Sequence, residues 1–479
     1  MKKTSLTTAV IAGLAGVAGI TNMASAVNLS TDGTGSVLIY PYYTVNAGNA
    51  TLLSVVNTTS EGKAVKVRFL EAYNSREVLD FNLYLSPFDV WTAEIDKTGD
   101  GASVTTSDVS CTVPYFTGTA VAFRNLAYSG SNDDTGPTGL DRTREGYVEM
   151  IEMGTVNDNT SGSLSAITHG GGTPDCAQVV AAWGNGGYWN IDPLVDLGVP
   201  DGGLFGSGSV INGEQGTIEG YNADAIEGFY DVLATTAQHT PPGSVNPNLA
   251  DGANPVAFTF NTSGTGATSL ATTTFTASID AVSAVFMTDN VYNEYVVDPA
   301  YGESTEWVIT FPTKRFYVDT QIVGGTALQP FDEFFGENID GASCAPVSIT
   351  PYDREENTTT TPLDFSPPPT AAGNALCWEA NVVTFDQSGT SSAILGSGVV
   401  ANVNLPSSFL NGWVNIGFAG TNHQIQGTNG NTFFGLPATG FAVEEHINAN
   451  VSAGILANYT GLYNHKYNRL CSNAGGACS

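Results

Sequence analysis

The chain has 479 residues, with 46 Asp and Glu against 15 Lys and Arg, a formal charge of −31 and a hydrophobic fraction of 42%. So acidic a balance excludes nucleic acid as a default partner, because a phosphate-binding face needs clustered Lys and Arg, and it argues against an anionic membrane surface. The hydrophobic fraction is that of a folded protein, so the acidity does not imply disorder, and the length suffices for two or three domains.

In chain order, residues 1–26 carry Lys2 and Lys3, an apolar run too short to span a bilayer, and Ala24-Ser25-Ala26. This is the pattern of a secretory signal peptide, which predicts export to the periplasm, the cell surface or the medium, with Val27 as the mature start. No later segment reaches the ~20 uninterrupted apolar residues of a transmembrane helix. After a first apolar run at Thr51–Thr59, Val65, Val67 and Phe69 alternate with Lys66, Arg68 and Leu70. Phe81, Leu83 and Leu85 then share a face before Pro87, and Trp91, Ala93 and Ile95 oppose Val90, Thr92 and Glu94. A period of two predicts half-buried strands. With turn residues between them, these strands predict an immunoglobulin-like antiparallel β-sandwich over residues 27–160, closed by another strand at Gly146–Gly154.

Residues 161–250 read as a mixed helix and loop segment. PDCAQVVAAWGNGG predicts a short helix started by Pro174 and Asp175, and Tyr221–Ala237 predicts a second. A Pro- and Gly-rich linker follows. Residues 251–479 return to β texture as a second β-rich domain, with one further helix expected at Thr288–Val297. The fold class is therefore mainly β, with sandwich domains flanking a short mixed insert.

Six cysteines in an exported chain predict disulfides, since an oxidising compartment lets them persist. Sequence order and the lower entropic cost of short loops favour Cys111–Cys176, Cys344–Cys377 and Cys471–Cys478. A zinc site is disfavoured, because there is no CxxC pair and no His at ligand spacing.

Calcium suits an acidic, Gly-rich exported chain, because hard cations take carboxylate and carbonyl oxygens from tight loops. Its best loop is DKTGDGAS, where Asp96, Thr98 and Asp100 alternate before Gly101. The twelfth position is Ser107, so the bidentate acid is missing, and a hairpin turn is the competing reading. SNDDTGPTGLD, with Asp133, Asp134 and Asp141, is a weaker candidate.

Catalytic signals are poor. GSGSV (Gly206–Val210) is a loose relative of a serine-hydrolase elbow and reads as a flexible turn. His446 sits beside Glu444 and Glu445 with no nucleophile to serve, and Glu149, Glu306 and Glu444 are glycosidase candidates only in the sense that 46 acids always supply some. Of Trp91, Trp183, Trp189, Trp307, Trp378 and Trp413, most are expected in cores, while an exposed one could carry a sugar platform. The adjacent cations Lys314 and Arg315 lie in the β-favouring run EWVITFPTKRFYVD, where a strand would send them to opposite faces, each toward its own carboxylate such as Glu306 or Asp319.

The stretches YPYYTV (Tyr40–Val45), VRFLEAYNSREVLDFNLYLSPFDVW (Val67–Trp91) and WVITFPTKRFYVD (Trp307–Asp319) resemble a group of exported Gram-negative bacterial proteins described only as cell-surface proteins, over most of the mature chain. The resemblance implies a location and no mechanism. The expected function is a non-catalytic extracellular or cell-surface structural or interaction protein, calcium-stabilised, with other surface proteins, glycans or further copies of itself as partners. The alternative is a secreted carbohydrate-binding or carbohydrate-active protein of glycoside hydrolase type.

Overall fold

The computed structural model describes residues 26–479 apart from 232–236, 263–267, 325–327, 360–362, 364, 366–373, 386–391, 419, 421, 449–451, 453–454, 475 and 479. The segment expected from sequence to be a signal peptide, but for Ala26, lies outside the described residues. The protein is mainly β, built from several antiparallel sheets with a few short helices. Among the described residues no helix is long and apolar enough to cross a membrane.

Two large sheets stack in the N-terminal half. The eight-stranded one runs Asn28–Leu29, Asp224–Glu227, Val37–Thr44, Glu145–Val156, Gly62–Glu71, Glu77–Leu85 and Cys111–Val113, with Leu197–Gly198 paired to the end of the long fourth strand. The six-stranded one runs Thr217–Asn222, Leu204–Asn212, Asn49–Asn57, Val90–Thr98, Gly101–Thr105 and Val121–Ala122. Together they exceed the seven to nine strands in total that an immunoglobulin sandwich holds. Val65, Val67, Phe69, Phe81, Leu83 and Trp91 fill the space between the sheets, as the alternation predicts.

The opposite face of the larger sheet is not solvated. Val37–Thr44 and Gly62–Glu71 are buried at every position, because short helices over Ser163–Ile191 and the C-terminal half cover that face. Lys63, Lys66 and Arg68 are therefore interior residues rather than the exposed half of an amphipathic strand.

The helix Cys176–Trp183 forms where expected, and the Asp175 side chain accepts the Gln178 N–H. Tyr221–Ala237 is not helical in its described part: Thr217–Asn222 and Asp224–Glu227 are strands, one in each large sheet, and residues 232–236 lie outside the described residues. Thr288–Val297 likewise gives the strand Asn290–Val296. In both places an alternating face found a neighbouring strand to pair with, and tertiary pairing overrode a helical reading.

The C-terminal half holds several further sheets, two of which are the larger, mainly antiparallel layers that build the site. Five strands run Val400–Asn402, Ala380–Thr384, Glu303–Thr310, Thr439–His446 and Tyr459–Asn464. Four run Ser348–Asp353, Asn411–Gly417, Asn290–Val296 and Lys466–Asn468. The cores are continuous: Phe441, Val308 and Val382 pack with the N-terminal sandwich, and Trp307 packs in one cluster with Val37 and Ile39. Disulfides join Cys111–Cys176, Cys344–Cys377 and Cys471–Cys478, as sequence order suggests.

Candidate functional site

The scarce cations are the residues that an acidic protein retains at a cost, and most of those described are buried or half-buried. The strand Glu303–Thr310 ends before Pro312, so Lys314 stands in a turn and Arg315 opens the one-turn helix Arg315–Val318. The pair does not lie on a strand. Lys314 is fully buried, and its ammonium donates to the carbonyl oxygens of Ser343, of Cys377 at 3.1 Å and of Trp378 at 3.2 Å. Burial pushes it down to about 8, with Glu379 pulling the other way. Glu306 is not its partner. That carboxylate accepts the Ser392 hydroxyl at 2.6 Å and the N–H groups of Ala393, Ile394 and Leu395, and so grips another segment. Asp319 does meet Arg315, at 3.8 Å, and more closely Arg76, at 2.9 Å.

Arg76 extends this contact into a buried network. Arg142 forms two bonds to Glu71 at 2.7 and 3.1 Å and two to Asp134 at 2.7 and 3.0 Å, and its guanidinium lies over the rings of Tyr128 and Tyr73. Glu71 also accepts the N–H groups of Tyr73, Asn74 and Arg76. Lys63 pairs with Glu152 and Asp201, Lys66 with Asp80, and Arg68 with Glu77 and Glu149. These groups are matched in charge largely by one another, which suits a structural role. They also leave the surface almost bare of positive charge: Lys97, Arg124, Arg354 and Lys466 are the exposed cations of the described residues.

The sequence candidates do not converge. Asp96, Thr98 and Asp100 stand at the exposed tip of the hairpin joining Val90–Thr98 to Gly101–Thr105, where Asp96 accepts the Lys97 N–H and Thr98 bonds Ser103. Gly99 there has a φ of +59°, which a tight turn requires. Asp134 belongs to the buried network, while Asp133 and Asp141 are exposed. No group of three or more His, Cys, Asp or Glu of the described residues is arranged to hold a metal ion.

GSGSV is not a turn. It lies inside the strand Leu204–Asn212, and Gly206 and Gly208 leave the room that the Tyr40 hydroxyl and the Tyr221 ring occupy. His239 and His465 are buried against the Pro193 and Val308 carbonyls, and burial pushes each down to about 4, so both stay neutral. Glu149 is paired with Arg68, and Glu444 is buried opposite Thr305. None of the carboxylates Glu149, Glu306 and Glu444 shares a partner with another.

The aromatic residues do assemble. Trp91, Trp189 and Trp307 are fully buried; Trp183 donates to the Tyr84 hydroxyl, and Trp378 packs on Tyr73. Trp413 is 40% exposed on the outer face of the four-stranded sheet. It stacks on its cross-strand neighbour Tyr352, with centroids 4.4 Å apart and planes 12° from parallel. Tyr292 meets its edge at 6.4 Å. The register places Glu294 beside Trp413, and Thr350, Asn415, Tyr292 and Lys466 in the next row. Inward-facing Val291, Val414 and Ile416 are buried and anchor this face.

No family model, curated protein or solved structure matches the chain. The chemistry must be read from the site itself.

A rigid strand pair presents two large rings in register, flanked by amide, hydroxyl, carboxylate and ammonium side chains within the same two rows. Such a surface can take the C–H face of a ring on its π electrons and that ring's hydroxyls on its polar neighbours. Sequence reading named Trp413 only as one of six tryptophans, without setting it apart from the other five, and missed Tyr352 and Tyr292. The alternation in SITPYD and in NVYNEYV was the signal that could have placed them.

Proposed function

We propose that this protein is an exported, non-catalytic cell-surface or extracellular protein that holds neutral carbohydrate on the Trp413–Tyr352–Tyr292 face. The observation that carries the reading is the stack of an exposed tryptophan on a tyrosine on the outer face of a sheet whose inner face is core. An isolated exposed aromatic ring is ordinary; a stacked pair anchored by three strands is a preorganised platform. Export is supported by the amino-terminal pattern Lys2-Lys3, apolar run, Ala-Ser-Ala and by three disulfides. The ligand is neutral because exposed carboxylates far outnumber the four exposed cations, so uronate or sulfated chains would meet repulsion. The reading is non-catalytic because the glycosidase candidates Glu149, Glu306 and Glu444 share no partner with one another.

Calorimetric titration of the mature protein with cellohexaose, laminarihexaose and chitohexaose tests the reading. At least one binds, and Trp413→Ala weakens it at least about tenfold, as expected for losing one stacked ring. Binding unaffected by Trp413→Ala, or release of shorter sugars from any of the three, overturns it.

A further inference from the structure

A second site lies away from the aromatic face, along the strand Glu77–Leu85. The partner strand Cys111–Val113 pairs only with Asn82, Leu83 and Tyr84, so among the described residues the first half of Glu77–Leu85 has no strand beside it there. A cavity of about 600 Å³ opens against that half. Val78, Phe81, Phe116 and Val121 form its apolar walls, and Leu126 and Val245, each 62% exposed, stand at its mouth. Soluble proteins leave large side chains this exposed around a hollow where something apolar enters.

Three charged residues line the cavity, and their partners decide its electrostatics. Glu77 is paired with Arg68 at 2.7 Å and Asp80 with Lys66 at 2.7 Å, so both carboxylates are matched from inside the fold. Arg124 is not matched. Its backbone N–H is bonded to the Val78 carbonyl, while no carboxylate of the described residues pairs with its guanidinium. In a chain of charge −31, where most cations are interior and paired, the one unmatched charge in this apolar hollow is positive.

We infer that this cavity binds a small amphipathic carboxylate, with the apolar body against Val78, Phe81, Phe116 and Val121 and the carboxylate on Arg124. A guanidinium engages a carboxylate through two parallel N–H bonds and is more weakly hydrated than an ammonium, so it suits a site whose other walls are apolar. The volume suits one hydrocarbon chain or one fused ring system. The site is independent of the aromatic face, and its failure would leave the carbohydrate reading untouched.

The test is calorimetry of the full mature chain at fixed ionic strength with decanoate, 1-decanol and decyltrimethylammonium, which share a tail and differ in charge. Decanoate binds roughly tenfold or more tightly than decanol, and the cation binds weakest. Arg124→Gln, at an exposed position, leaves the melting temperature unchanged and removes the preference for decanoate over decanol. Val245→Trp, which fills the mouth, weakens both. Equal binding of decanoate and decanol by the wild type, a preference that survives Arg124→Gln, or no detectable decanoate binding overturns the inference.

Discussion

At the scale of single residues, this protein keeps its cations for its interior. Lys63, Lys66, Arg68, Arg76, Arg142 and Lys314 are all buried, and five of the six answer a carboxylate of comparable burial. Removing one member of such a pair leaves the other charge buried and uncompensated, which costs about 3–5 kcal/mol. Arg142→Ala is therefore expected to lower the urea midpoint sharply with an unchanged slope, and an effect below about 1 kcal/mol would show that Glu71 and Asp134 are solvated after all. Glu219 and Glu445 make the opposite case, two buried carboxyls with no cation between them. Burial, with each one's acidic neighbour adding to it, pushes Glu219 up to about 8 and Glu445 up to about 7. A folded-state value raised above the unfolded one contributes stability that is complete below about 4.5 and is lost as pH climbs toward 8. Glu219→Gln should thus melt near the wild type at pH 4.5 and be more stable by about 1–2 kcal/mol at pH 8. A gain at pH 4.5 and none at pH 8 would reverse the assignment.

At the scale of elements, the strand calls that succeeded were those whose apolar positions repeat with a period of two, such as Val65, Val67 and Phe69. Sequence could not show that Lys66 and Arg68 on the other face are buried too, because their burial depends on Asp80, Glu77 and Glu149 arriving from other strands. The same limit hid the Asn290–Val296 strand, whose polar face carries Tyr292 and Glu294, and the fate of Lys314, whose ligands are carbonyls of residues 343, 377 and 378. The cysteine pairs were legible because chain order and loop closure point the same way. Their contributions should differ: closing 65 residues, Cys111–Cys176 is worth about 4 kcal/mol, and closing 7, Cys471–Cys478 contributes less. Melts of Cys111→Ala/Cys176→Ala and Cys471→Ala/Cys478→Ala proteins check the order, and equal losses would mean that the chain-entropy account does not apply here.

At the scale of the whole molecule, interior ion pairs and a carboxylate-rich surface have opposite responses to salt. Buried pairs are screened little, whereas surface carboxylates separated by about a Debye length repel one another until salt intervenes. Raising sodium chloride from roughly 0.02 to 0.2 M should therefore raise the melting temperature, and a fall would mean that exposed ion pairs dominate. On the aromatic face the same surface disfavours anionic ligands, so binding there runs through rings and neutral polar groups. The most direct measurement is a glycan array probed in parallel with mature wild type and Trp413→Ala protein. The account predicts a set of neutral glycans bound by the wild type and lost in the variant, whose melting temperature is unchanged. Binding of anionic glycans alone, or a pattern identical in the two proteins, would contradict it.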